Sequence, residues 1–184
     1  MKKVKTVTLT SIAIMSAVLC ILGHMSISLP FSPVPLSLAT IGIFLSLYVL
    51  GVRFGSLSII IYLIIGAVGL PVFSFFSGGI GKIAGPTGGY LIGYIFLALI
   101  AGLFIGKFKT NKLLQFLGMV LGTLVCYLIG TIWLSFQAKI GFISALTVGV
   151  LPYIVFDLIK IVVCILLGNK IRDIINDKIK LYTI

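Results

Sequence analysis

The sequence predicts an all-α integral membrane protein, on the basis of its composition and the pattern of its apolar residues. Of the 184 residues, 60% are hydrophobic and only 9% are charged, whereas soluble domains carry about 25% charged residues. Mean hydropathy is +1.32. The apolar runs are long and continuous, which favours membrane-spanning helices over the short alternating strands of a closed β-barrel.

The apolar runs predict six transmembrane helices, because about 20 apolar residues in helical form cross the hydrocarbon layer. We place them at about residues 7–29, 35–50, 54–69, 88–106, 113–137 and 151–168. No residue between Lys5 and Arg53 is charged, and the prolines of "LPFSPVP" divide this stretch because proline cannot continue a helix. We expect residues 1–184 to form a single six-helix membrane domain.

The basic residues indicate how the helices are oriented. If the N-terminus is cytoplasmic, eleven Lys and Arg residues lie inside, two (Lys82 and Lys139) lie outside, and Lys160 lies within the sixth span. The inside group comprises Lys2, Lys3, Lys5, Arg53, Lys107, Lys109, Lys112, Lys170, Arg172, Lys178 and Lys180. This bias predicts a multi-pass protein of the cell membrane with both termini in the cytoplasm. Topology thereby explains the net charge of +11, with the lipid bilayer as the surroundings and no nucleic acid as a partner.

The sequence offers little for catalysis or metal binding. It contains one histidine (His24), no glutamate and three widely spaced cysteines. We therefore predict no enzyme activity, no catalytic residues, no metal and no cofactor, and we expect His24 to make a structural or loop contact. The "GGIGKIAG" segment lacks the Ser or Thr that follows the lysine of a phosphate-binding loop. Any uphill transport would draw its energy from a partner or an ion gradient.

The sixth span carries an acid and a base where lipid makes charge costly. In "PYIVFDLIKIVV", Tyr153, Asp157 and Lys160 have the spacing of one helix face. An isolated charge at membrane depth costs at least ~2.5–3.5 kcal/mol, so we expect the two charges to pair and face the bundle interior. Three interpretations remain open, namely a structural ion pair, a proton relay, and a binding site for a polar ligand that has donors and acceptors side by side. We favour the binding site.

Two connecting segments and several aromatic residues complete the candidate site. Leu29–Pro35 is stiffened by prolines, and Leu70–Gly89 combines three phenylalanines with glycines that allow close approach or hinge motion. Segments of this length often serve as functional lids; a loop packed on the helix ends is the alternative. Tyr90, Tyr127 and Trp133 are candidate walls for a ligand, and Tyr90 and Trp133 are alternatively interfacial belt residues.

The first span carries a flat face near its predicted cytoplasmic end. Ala13 and Ala17 are small residues four apart, which favours close contact with another helix. That helix is either one of a partner or one of this chain's own.

Taken together, these features resemble the BioY family, the biotin-specific S components of energy-coupling-factor vitamin transporters. The resemblance covers essentially the whole chain and is carried by the six spans, by the Ala13 and Ala17 pair, by "GLPVFSFFSGGIGKIAGPTGGYLIGY" (Gly69–Tyr94) and by "LPYIVFDLIK" (Leu151–Lys160). It implies a membrane subunit that binds biotin from outside and associates with a transmembrane coupling protein and a pair of cytoplasmic ATPases.

The resemblance also implies residue roles. Asp157 would accept the ureido N–H groups of biotin, and Lys160 would donate to the ureido carbonyl or, alternatively, to the valerate carboxylate. Gly78, Gly79 and Tyr90 would close over the ligand, and Ala13 and Ala17 would dock the coupling protein. The ligand-binding candidates are Asp157, Lys160, Tyr90, Gly79, Gly78, Phe75, Tyr127, Trp133 and Tyr153.

Two other functions stay open. One is an S component for another vitamin, such as thiamine or riboflavin, although Lys160 counts against a cationic ligand such as thiamine. The other is a non-transport membrane protein with a structural ion pair.

Overall fold

The structure, a computed structural model, describes residues 6–28, 30 and 32–179, the last four as backbone alone. In order these form α1 (Thr6–His24), β1 (Ser26–Ile27), β2 (Leu36–Ser37), α2 (Ala39–Val68), α3 (Ile80–Ala84), α4 (Gly88–Lys107), α5 (Lys112–Ala138), α6 (Phe142–Gly149) and α7 (Ile154–Ile179), with 3₁₀ turns at Ser74–Phe76 and Leu151–Tyr153. Five helical segments of this part of the chain are long and apolar enough to cross a membrane. The prediction of a helical membrane protein is confirmed at that level. Lys2, Lys3, Lys5, Leu29 and Lys180 lie outside the described residues.

Within α2 the chain reverses its direction at Gly51. This residue has φ 71° and ψ 178°, a backbone conformation essentially confined to glycine. A Cβ atom on Gly55 would lie 3.0 Å from the carbonyl oxygen of Ser46, although nine residues of straight helix span about 13 Å. Residues 39–50 and 52–68 are therefore two arms of a helical hairpin, in the region where the sequence predicts two separate spans.

The end of the first span and the start of the second differ from the prediction. The span placed at 7–29 ends at His24, and the one placed at 35–50 begins at Ala39. Between them, β1 and β2 pair antiparallel, with Ser26 opposite Ser37. The apolar residues of these strands look like a continuation of the helix, but the strand pair satisfies their backbone groups with each other.

The last span also differs, since it begins later and extends further than residues 151–168. The helix α7 begins at Ile154 and continues to Ile179, and a short helix, α6, precedes it. The prediction ended the span at Gly168 because the polar residues that follow end the apolar run. Those residues remain helical beyond the apolar stretch.

Close packing of α4 against α5 depends on glycines. A Cβ atom on Gly93 would lie 2.9 Å from the Cys126 sulfur, and one on Gly122 would lie 2.9 Å from the Leu97 carbonyl oxygen. These small residues let the two backbones approach closely. The approach sets the distance between Tyr90 on α4 and the α5 residues that line the central cavity described below.

A partly buried polar cluster fixes α7 against α2 and α5 at the end of the bundle that carries the α4–α5 connection. The Tyr48 hydroxyl and the Asn169 side-chain amide both donate to the Gln115 side-chain oxygen, at 2.7 and 3.0 Å. Arg172 donates to the Asn169 side-chain oxygen at 2.6 Å and to the Lys109 carbonyl at 2.7 Å. These bonds set the position of α7, and with it that of the charged residues nearer its N-terminus.

Candidate ligand-binding site

Asp157 and Lys160 form an ion pair inside the bundle. They are only 9% and 8% exposed, and Lys160 Nζ lies 2.8 Å from Asp157 Oδ1. The same ammonium donates to the Ser37 carbonyl oxygen at 2.7 Å, and the Tyr127 hydroxyl donates to Asp157 Oδ2. The pairing expected from the sequence is therefore present, and two polar groups from other elements support it.

The segment before α2 is tied to α6 and to the 3₁₀ turn that precedes α7. The Tyr153 hydroxyl donates to the Val34 carbonyl, and the Ser32 hydroxyl donates to the Val148 carbonyl at 2.6 Å. Pairing of β1 with β2 fixes the backbone at Ser37. The Ser37 carbonyl that receives Lys160 is thus part of an ordered wall.

These groups surround a small cavity, here called the central cavity, of about 50 Å³. Its walls come from the segment before α2, from α2, α4, α5 and α7, and from the end of α6 and the 3₁₀ turn after it. They are Val34, Pro35, Leu36, Ser37, Thr40, Tyr90, Tyr94, Leu97, Thr123, Cys126, Tyr127, Gly149, Tyr153, Asp157 and Lys160. The Thr40 hydroxyl is buried and has no hydrogen-bond partner among the described residues. Pockets for small molecules usually measure roughly 300–1,000 Å³, so the walls must move apart to admit a molecule of vitamin size.

A second, smaller space of about 30 Å³, here called the loop cavity, adjoins the central cavity. The two share Val34, Pro35, Ser37, Tyr90 and Tyr94 as walls. The further walls of the loop cavity are Phe73, Ser74, Lys82, Thr87 and Leu91, mostly from the α2–α4 connection. The two cavities therefore lie side by side, one at the charged pair and the other at the α2–α4 connection.

Five of the predicted ligand residues come together here. Asp157, Lys160, Tyr90, Tyr127 and Tyr153 all line the central cavity. The Tyr90 hydroxyl donates to the Gly149 carbonyl at 3.1 Å, across from α4 to the end of α6. Tyr90 is buried, at 7% exposure, so it is a wall residue rather than a member of an interfacial belt.

The other predicted ligand residues line neither cavity. Trp133 is partly buried on α5 beside Gly89 of α4, and its indole N–H donates to the Gly85 carbonyl at 2.9 Å. Phe75 is half exposed, with its backbone N–H bonded to the Ser26 hydroxyl. Gly78 lies where any side chain would collide with the Leu70 carbonyl. The backbone N–H of Gly79 donates to Gly66, the residue that also receives the buried Phe73 ring.

These four residues therefore organise the α2–α4 connection instead of facing the charged pair. His24 contacts the same connection, because its ring stacks on Phe76 with the ring centroids 4.4 Å apart. The sequence predicted this kind of contact for His24.

Several wall residues were missed by sequence reasoning. Thr123 lies four residues before Tyr127 on α5, so helical spacing from Tyr127 could have identified it. Cys126 directly precedes Tyr127, and adjacent residues do not share a helix face, so the spacing gave no signal for it. Ser37 and Thr40 carry no such pattern, because the strand pair and the start of α2 bring them to the cavity.

Ala13 and Ala17 lie on α1, a helix that contributes no wall to either cavity. Both are exposed, whereas Ile12, Met15 and Ser16 on the other face of α1 are buried. The two alanines therefore lie on the face of α1 that the described part of this chain leaves largely uncovered.

The fold and the cavity define a small helical membrane protein with a buried polar site, and comparison with known proteins specifies its family. The BioY family model matches residues 1–177. The biotin transporter BioY of Thermotoga maritima is 40% identical over 148 residues, which is 80% of this chain and 86% of that protein. The biotin transporter BioY of Lactococcus lactis is 33% identical over 177 residues, or 93% and 92% of the two chains.

A solved structure agrees with this relationship. The crystal structure at 2.1 Å of the S-component for biotin from an ECF-type ABC transporter superposes with a TM-score of 0.85 and 31% identity. The match covers 93% of this chain and 95% of that one. The chain belongs to the BioY family.

Proposed function

We propose that this chain captures biotin from outside the cell as the substrate-binding membrane subunit of an energy-coupling-factor transporter. The observation that carries the proposal is the buried Asp157–Lys160 pair on the wall of the central cavity. A carboxylate acceptor beside an ammonium donor complements a ureido group, whose N–H donors flank a carbonyl acceptor. The relatives described as biotin transporters support the same ligand.

We further propose a single domain of six membrane spans, with both termini in the cytoplasm. The hairpin at Gly51 supports the count, because it divides α2 into two arms. It also lies at the same end of the bundle as the α4–α5 connection, since a Cβ on Gly102 would lie 2.9 Å from Val52. Arg53, Lys107 and Arg172 therefore gather at one end, which the positive-inside rule assigns to the cytoplasm.

The connecting segments would act as lids in this scheme. The central cavity is too small for a vitamin as it stands, and its walls include the segment before α2. Movement of that segment and of the α2–α4 connection would open a path to the charged pair from the side opposite the cytoplasm.

Partners would supply the energy for uptake. The sequence has no nucleotide-binding loop, and the similar solved structure is an S-component of an ECF-type ABC transporter. A transmembrane coupling protein, and through it a cytoplasmic ATPase pair, would dock on the exposed face of α1 at Ala13 and Ala17.

A calorimetric titration of the purified protein with biotin, thiamine and riboflavin tests the ligand. Biotin is expected to bind tightly and the other two vitamins are not. One alternative has specific support, because the charged pair already has internal partners in Ser37 and Tyr127 and so resembles a structural ion pair. That alternative predicts no tight binding of any vitamin.

A further inference from the structure

The walls of the two cavities carry three charged side chains, and the charges of only two of them neutralise each other. Asp157 and Lys160 are bonded to each other at 2.8 Å, so their net charge is zero. The third is Lys82, a wall of the loop cavity. Among the residues that the structure describes, the Lys82 side chain has neither a hydrogen-bond nor an ion-pair partner. The walls of the two adjoining cavities therefore carry one surplus positive charge, on the side of the loop cavity.

The backbone that carries Lys82 is firmly placed. The Lys82 N–H donates to the Gly79 carbonyl at 3.1 Å, and the Gly79 N–H donates to the Gly66 carbonyl at 2.7 Å. On the far side of α3, the Trp133 indole holds the Gly85 carbonyl at 2.9 Å. The short helix is thus fixed between α2 and α5, and it holds the lysine at the edge of the cavity.

We propose that Lys82 binds the carboxylate of the captured ligand, while the Asp157–Lys160 pair binds its neutral polar head. This inference rests on the proposed function, because it assigns the second polar end of biotin to a second site. It makes Lys82 the residue that selects an acidic side chain over a neutral one.

Hydrogen-bond capacity favours Lys82 over Lys160 for this role. An ammonium group has three N–H donors, and Lys160 already directs one to Asp157 and one to the Ser37 carbonyl. The remaining donor suffices for a ureido carbonyl. An anion at Lys160 would also lie close to the Asp157 carboxylate, and like charges at that range repel.

The surroundings of Lys82 also suit an anion. Burial lowers the pKa of the Lys82 ammonium from its ordinary value, because the charged form loses hydration. A carboxylate in contact with it would offset that loss. Lys82 lines the loop cavity together with Phe73, Ser74 and Thr87. A ligand carboxylate bound to Lys82 would therefore hold the α2–α4 connection in place over the ligand.

The experiment compares biotin with biotinamide, in which a neutral amide replaces the carboxylate. Both are titrated into the wild-type protein, Lys82→Met and the matched control Lys139→Met, which removes the exposed lysine at the end of α5. Wild type and Lys139→Met should bind biotin at least about tenfold more tightly than biotinamide. Lys82→Met should lose about tenfold or more for biotin and bind biotinamide as wild type does; Lys82→Arg should keep the preference for biotin.

The possible failures are distinguishable. If Lys82→Met keeps the wild-type preference for biotin, the proposal for Lys82 is overturned and Lys160 becomes the candidate for the carboxylate. Equal loss of biotin and biotinamide would also overturn it, since a carboxylate partner should not affect the amide. If wild type binds neither compound, the proposed function fails instead.

Discussion

At the scale of single residues, the charged pair is stable in its apolar surroundings because each of the two charges has two polar partners. Lys160 has an anion and a carbonyl, and Asp157 has a cation and a hydroxyl. Loss of one partner from a buried pair leaves the other uncompensated, at a cost of ~3–5 kcal/mol. A ligand head that enters here must replace some of these bonds with equivalents.

Asp157→Asn should lower the affinity for biotin by at least about tenfold, equivalent to ~1.4 kcal/mol. The amide keeps the shape of the side chain but removes the charge that attracts the ureido N–H groups. Isothermal titration of the folded variant measures the effect. Asp173→Asn is the matched control, because Asp173 is an exposed aspartate on the same helix. Wild-type affinity in Asp157→Asn would exclude this residue from the site.

At the scale of the elements, the hairpin within α2 depends on the backbone of one glycine. A side chain at Gly51 would meet no atom within 4 Å, so the requirement for glycine comes from its φ of 71° and ψ of 178°. Gly106 has equally open surroundings but lies within the helix α4. Comparing substitutions at Gly51 and Gly106 therefore distinguishes the effect of backbone strain from that of steric crowding.

Gly51→Ala should destabilise the protein by ~1–3 kcal/mol, the usual cost of a backbone conformation that only glycine adopts freely. Gly106→Ala should be neutral or stabilise by up to ~1 kcal/mol, because alanine favours a helix. Thermal unfolding in detergent measures both. Equal stability of the two variants would show that the turn tolerates alanine, and that hairpin formation does not depend on glycine at residue 51.

The α2–α4 connection has the mixture of anchoring and strain expected of an element that moves. Phe73 is fully buried against Gly66 and Tyr62. The next turn places Phe75 and Phe76 at φ 61° and 53°, which is costly for bulky side chains. The anchor therefore lies next to a strained, exposed turn.

Biotin should slow hydrogen exchange of the amides in residues 74–87 by several-fold, because the ligand would fix this segment over the cavity. Exchange followed by mass spectrometry, with and without biotin, measures the change. Residues 108–111, in the α4–α5 connection at the other end of the bundle, provide the internal control and should not change. Identical exchange of residues 74–87 in both states would identify the connection as a static cap.

How far the sequence predicts these elements depends on what ends each apolar run. The bounds of α4 and α5 lie within one residue of the predicted spans. The apolar stretches end at polar residues, Lys107 at the end of α4 and Asn111 and Lys139 on either side of α5, and the helices end there as well. The strand pair was missed, since strands of only two residues are too short to show a periodicity. In the site, helical spacing found the charged pair and Tyr153, whereas Ser37 reaches the cavity only through the strand pair.

At the scale of the whole molecule, the site and the proposed docking face lie in different parts of the bundle. The charged pair is enclosed by α2, α4, α5 and α7, while α1 packs against α2 and leaves Ala13 and Ala17 exposed. Large apolar side chains on the same helix, such as Leu9 and Ile14, are also exposed. In a membrane they would face either lipid or a partner helix.

Ala13→Trp and Ala17→Trp should abolish assembly with the coupling protein and leave biotin affinity unchanged. Helices in a membrane associate largely by close packing, so an indole at either position would hold the partner helix away. Leu103→Trp is the control, because Leu103 is 61% exposed on α4 and should tolerate an indole in lipid. Co-purification with the coupling protein and ATPases, together with biotin titration, measures both properties. Normal assembly of both alanine variants would assign this face to lipid, whereas loss of biotin binding as well would mean that the tryptophan disturbs the fold.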